Sequence, residues 1–177
     1  YQSERWDGEA PAIDGVLNDA AWQQAVRAPI QRQHHDEAPL PEGERNVGYW
    51  MARWDAENLY LGVRVIDRHV NEGQVTLYEP HNDVVELFFD PLLNYQFNLQ
   101  YRVWPFGTDG GRGDVSQDPT WGRWDVATTR TNDGYLTEIR VPLAHFMEVA
   151  QVDLRAGSLI GFDLSVHDIA FPTDEQW

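Results

Sequence analysis

Apolar residues recur at every second position along much of this chain. Leu59, Leu61, Val63 and Val65 alternate with Tyr60, Gly62 and Arg64, and Phe97, Leu99, Tyr101 and Val103 with Gln96, Asn98, Gln100 and Arg102. The same alternation runs through Tyr135–Val141 and Ile160–Val166. A period of two puts one set of side chains on each face of a half-buried strand. Asn46–Trp54, Asp83–Asp90 and Trp121–Arg130 read as further strands. Turn-forming runs separate them: Asp55–Asn58, Asp90-Pro91, Gly107–Gly113, Asn132-Asp133-Gly134 and Ala156-Gly157. Asp19–Ala25, capped by Asn18 or Asp19, and Leu143–Val149 are the only helical stretches. Ala28–Arg45 holds three prolines and reads as a long edge loop. Short strands at loop-sized intervals with little helix predict an all-β fold: a two-sheet antiparallel β-sandwich of jelly-roll or immunoglobulin-like type, with one or two short helices. The length predicts one domain over residues 1–177.

Charge narrows the partners. The net charge is −16, which repels a phosphate backbone and an anionic bilayer, so neither nucleic acid nor membrane is expected. All 13 basic residues counted are arginine, a bias that suits a high-GC or salt-adapted source. Without cysteine there is no disulfide, thiolate or Cys-ligated zinc. No apolar run approaches the roughly 18 residues of a membrane span. A start at Tyr1 fits a mature or trimmed product from which any signal peptide is already gone. The compositional anomaly is aromatic, with 8 Trp, 7 Tyr and 7 Phe. Some must be core, but flat rings also stack on the apolar C–H face of a pyranose.

Such a ligand needs hydroxyl donors and acceptors beside those rings. The outward row Gln96, Asn98, Gln100 and Arg102 supplies them, Trp104 continues its parity, and Glu86 is placed on a neighbouring strand. A bland reading stands beside this one, a solvated sheet face of ordinary polar residues. Glu86 and Asp90 share a strand face about 13 Å apart, too far for a glycosidase pair at ~5–9.5 Å. A cross-strand pair such as Glu86 with Glu138 is not selected by any spacing. Calcium takes six to eight oxygens, and Asp67, Asp83, Asp90 and Asp168 sit at predicted strand ends. Most strand-end aspartates simply form turns. Asp109–Asp114 is a weaker acidic cluster, and its Arg-Gly-Asp triplet reads as chance. Adjacent histidines on a strand point to opposite faces, so a pair such as His34 and His35 rarely grips one metal. No nucleophile elbow, phosphate loop or zincin motif occurs.

Four phrases in order resemble the family 9 carbohydrate-binding modules, within a wider DOMON-like group of sandwich domains. They are Ala10–Trp22 (with Ile13-Asp14-Gly15), Trp54–Val63 with Asp67, Asn82–Asp90, and Gly134–Pro142 followed by Gly161-Phe162-Asp163 and Asp168. The resemblance implies a non-catalytic module in a bacterial, secreted (extracellular or periplasmic) polysaccharide-degrading system. It also implies binding of sugar-chain ends between aromatic rings, structural calcium, and a covalently attached catalytic domain.

Residue by residue, the resemblance makes Glu86 the contact to sugar hydroxyls and places Gln96 beside it. The family's first Trp platform falls at Pro80, leaving Tyr78 as the nearest ring. A sugar-binding arginine falls at Asn98, with Arg102 farther along the strand. Trp177 is the candidate second platform, and the chain stops before the family's usual closing strand. The departures at Pro80 and Asn98 support an alternative: a structural or interaction domain that has lost sugar binding and packs on a catalytic neighbour.

Overall fold

The computed structural model describes residues 1–31, 46–67, 70, 83–95, 99–103 and 124–167. Two sheets make up the fold. The larger contains β1 (Glu4–Arg5), β2 (Ala28–Gln31), β3 (Asn46–Trp54), β4 (Asn58–Ile66), β7 (Asp125–Thr131) and β8 (Gly134–Pro142). The smaller runs in the order β6 (Leu99–Val103), β5 (Val84–Asp90), β9 (Gly161–His167). Two short helices, α1 (Ala20–Gln23) and α2 (Leu143–Ala150), complete the described elements. Pairing is antiparallel throughout except for the two-residue parallel bridge of β1 with β3. The expected all-β, two-sheet antiparallel architecture is therefore what forms.

Alternation decides which residues become core. Leu61, Val63 and Val65 of β4 and Tyr135, Ile139 and Val141 of β8 face Val85, Leu87 and Phe89 of β5 and Leu99, Tyr101 and Val103 of β6. Phe89 is the hub of this interior: its ring lies 5.6 Å from Tyr101, 5.4 Å from Phe146 of α2 and 5.0 Å from Phe162 of β9. These are the edge-on and tilted spacings that aromatic quadrupoles favour.

Two sequence expectations are corrected. Ala28–Gln31, read as the start of a loop, is a strand that pairs with β3 along the edge not used by β4. Pro29 is compatible with this because an edge strand need not donate every N–H. Asp19 holds the N-cap position of α1 without a capping side-chain bond; its carboxylate accepts the Ala12 amide instead, at 3.2 Å. The tryptophans among the described residues, for their part, are structural. Trp22 is 1% exposed, Trp50 and Trp124 pack against the main core, and Trp6 and Trp54 sit under Arg53 and Arg5. None of these five is on the outer face of the small sheet.

The outer face of the large sheet carries a second apolar cluster. Trp22, Met51 and Tyr60 are buried there beneath the N-terminal segment, with Ile13, Leu17, Ala25 and Tyr49 around them. Gly62 makes this possible, since a Cβ on it would stand 2.8 Å from Leu17 and 3.3 Å from Met51 and Trp22.

Candidate functional site

The outer face of the small sheet is where polar chemistry gathers. Odd-numbered residues of β5 go into the core, so Glu86, Phe88 and Asp90 face outward. Register then sets Glu86 opposite Arg102 of β6 and Ser165 of β9, and Phe88 opposite Gln100 and Asp163. Glu86 Oε1 accepts the Arg102 Nε–H at 2.6 Å and a Gln100 amide N–H at 2.9 Å, and Oε2 accepts the Ser165 hydroxyl at 3.4 Å. Three strands thus converge on one carboxylate that is only 7% exposed.

This arrangement is chemically suited to hydroxyl recognition. A charge-assisted bond fixes the Arg102 side chain, which is still 36% exposed and so presents oriented N–H groups at the surface. Gln100 adds an amide with both donor and acceptor capacity. Phe88, half-buried beside them, supplies an apolar face. Phe88 and Ser165 are not singled out by motif or composition, yet strand parity marks them: Phe88 is two residues past Glu86, and Ser165 shares its β9 face with Asp163.

Of the residues singled out for sugar contact, the structure brings together Glu86, Gln100 and Arg102. Tyr78, Gln96, Asn98, Trp104 and Trp177 lie outside the described residues, as do His34, His35 and the Asp109–Asp114 loop.

Not all of the expected calcium ligands can share one ion. Asp83 precedes β5 and Asp90 ends it, seven residues or about 23 Å apart, so one ion cannot use both. Asp90 is spent on its own turn, accepting the Leu92 amide at 3.2 Å and the Tyr95 amide at 2.9 Å. Asp67 and Asp83 are buried at strand ends, and Asp168 lies outside the described residues. Among the described residues no group of three or more acidic or histidine side chains is placed to hold a metal ion.

The Glu86–Glu138 pair is ruled out by topology. Both carboxylates point away from the shared core, Glu86 from the small sheet and Glu138 from the large one, so the whole sandwich separates them. Glu138, 0% exposed, is an anchor rather than an acid or base. Its Oε1 accepts the Trp22 indole N–H at 2.6 Å, and its Oε2 accepts the amides of Gly15, Asp14 and Val16 at 2.8, 2.9 and 3.3 Å. Burial pushes its pKa up, and the indole and amide donors pull it back.

The fold and this face define a binding sandwich rather than an enzyme built on a carboxylate pair. Residues 13–177 match the model of the family described as "Carbohydrate family 9 binding domain-like", and the chain belongs to that family. It is a family of binding modules, not of catalysts. No curated protein matches the chain. Among solved structures it is similar to a family 9 carbohydrate-binding module from Caldicellulosiruptor kristjanssonii in complex with glucose. That match has a TM-score of 0.69 and 23% identity, covering 94% of this chain and 78% of that one. A second, from the same organism in complex with cellotriose, gives 0.68 and 24%, covering 93% and 74%. At these identities the likeness concerns the fold.

Proposed function

We propose that this module binds the ends of carbohydrate chains on the outer face of the small sheet. Glu86, Gln100, Arg102 and Ser165 would meet the hydroxyls, and Phe88 would lie against an apolar sugar face. The observation that carries the reading is the convergence of β5, β6 and β9 on the Glu86 carboxylate beside a half-buried ring, in a chain of this family. The glucose and cellotriose of the similar structures support gluco-configured ligands. The module would serve a secreted polysaccharide-degrading system, joined to a catalytic domain.

Titration calorimetry against glucose, cello-oligosaccharides and xylo-oligosaccharides tests this. Saturable binding with a Kd between about 1 μM and 1 mM is expected for at least one of them. Absence of heat with every sugar would leave the alternative, a sandwich retained for packing on a neighbour, as the better account; that account gains support if removing the domain destabilises the adjoining one.

Calcium is proposed only for the strand ends bearing buried Asp67 and Asp83, not for Asp90. An ion bound by the folded state alone stabilises it. EDTA is therefore expected to lower the melting temperature and added Ca2+ to restore it, whereas a Tm that ignores the chelator removes the ion from the reading.

A further inference from the structure

The turn that follows β5 is built to display a ring. Tyr95 is 100% exposed, and Leu92 and Leu93 before it are each nearly half exposed. Two residues of this turn adopt left-handed backbone without being glycine, Leu93 at φ 53° and Tyr95 at φ 58°. Bulky residues avoid that region, at a cost of about 1–2 kcal/mol each. The Asp90 carboxylate holds the turn in place by accepting the Leu92 and Tyr95 amides. Strain kept at a fully exposed aromatic has no packing rationale, and strained positions of this kind concentrate at ligand contacts.

Position supplies the ligand class. Asp90 lies on the same outward face of β5 as Glu86 and Phe88, four residues or about 13 Å from Glu86. A single pyranose cannot bridge that distance, but an oligosaccharide leaving the Glu86 site along the strand can. We propose that Tyr95 is a distal stacking platform for the outer units of a longer sugar chain whose end sits at Glu86. Phe88 lies between Glu86 and Asp90 on that face and continues the apolar track. This proposal rests on the reading of the Glu86 face as a sugar site.

The test compares glucose with cellohexaose on the intact module and on Tyr95→Gly and Tyr95→Phe. Glycine suits the left-handed backbone, so Tyr95→Gly keeps the turn while removing the ring. The unaltered protein should bind cellohexaose more tightly than glucose. Tyr95→Gly should lose about three- to tenfold on cellohexaose alone, the worth of one stacked ring, with glucose unchanged and Tyr95→Phe close to the unaltered protein. Equal cellohexaose affinity with and without the ring overturns the platform and leaves the Glu86 site standing, as does a Tyr95→Phe loss matching that of Tyr95→Gly. Failure of the unaltered protein to bind either sugar overturns the Glu86 reading itself, and the platform with it.

Discussion

Replacing Trp22 with alanine is expected to lower the stability of this module by about 3–5 kcal/mol, the range for deleting a buried large ring. The indole is 1% exposed and fills the second core on the outer face of the large sheet, against Met51 and Tyr60. It also donates the 2.6 Å bond to Glu138 Oε1. Trp22→Phe separates the two roles, because it keeps most of the volume and removes the N–H. It leaves a buried carboxylate oxygen without its shortest donor, a loss of about 1–3 kcal/mol. The pH dependence follows from how the indole acts on the carboxyl. Burial already raises the Glu138 pKa, and the Trp22 N–H opposes that rise more strongly than any other donor to it. A carboxyl whose folded pKa lies above its unfolded value stabilises the fold fully below about pH 4.3 and loses that contribution as pH climbs through the folded pKa. Removing the indole donor raises the folded pKa further. The Trp22→Phe penalty should therefore be larger at neutral pH than at pH 4, as read by urea melts at the two values. A penalty independent of pH would mean that the bond to Glu138 contributes nothing beyond packing.

The same carboxylate explains why parts of the sequence were informative. The Ile13-Asp14-Gly15 and Trp22 phrase and the Gly134–Pro142 phrase resemble family motifs separately, yet they are two halves of one arrangement: amides 14 to 16 and the indole converge on Glu138. The Trp54–Val63 phrase is likewise structural. Asp55 accepts the amides of Glu57 and Asn58 and the Tyr60 hydroxyl at 2.7 to 2.8 Å, closing the β3–β4 turn. Burial and the Asp55 bond push the Tyr60 pKa up to about 12. The Asn82–Asp90 phrase, by contrast, carries the centre of the polar face. Period-two alternation thus made the strands, their faces and hence Glu86 and Arg102 legible, because side-chain direction along a strand is a local property.

What alternation could not supply was everything set by long-range register. Ser165 meets Glu86 across 79 residues of chain, and no local pattern encodes which strand lies beside β5. The same ignorance let Asp83 and Asp90 be imagined in one calcium site although one strand holds them at opposite ends. Nor could spacing decide for or against a Glu86–Glu138 pair, since the donors to Glu138 lie more than a hundred positions earlier on the opposite sheet's outer face. Tryptophan abundance leaves a related gap: composition counts indoles without saying which sheet face receives them.

Glu86→Ala is expected to weaken sugar binding by at least tenfold, with a much smaller effect on folding than Trp22→Ala. The carboxylate does two things at once. It offers acceptor capacity at the surface of the small sheet, and it aims Arg102 and Gln100 through bonds of 2.6 and 2.9 Å. Removing it frees both side chains to adopt other rotamers, so the hydroxyl contacts they would make must each repay lost side-chain entropy. Two groups losing about 1 kcal/mol apiece correspond to more than a tenfold change in Kd. Glu86→Gln should fall between, because its amide oxygen still accepts from Arg102 but no longer as a charged partner. Arg102→Ala, which removes a partly exposed donor while leaving Glu86 with Gln100 and Ser165, should lose affinity without a comparable fall in melting temperature. Calorimetry on the three variants decides the matter. Affinities of Glu86→Ala and Arg102→Ala indistinguishable from the unaltered protein would show that this cluster only braces three strands, and the sugar would have to be sought on another face.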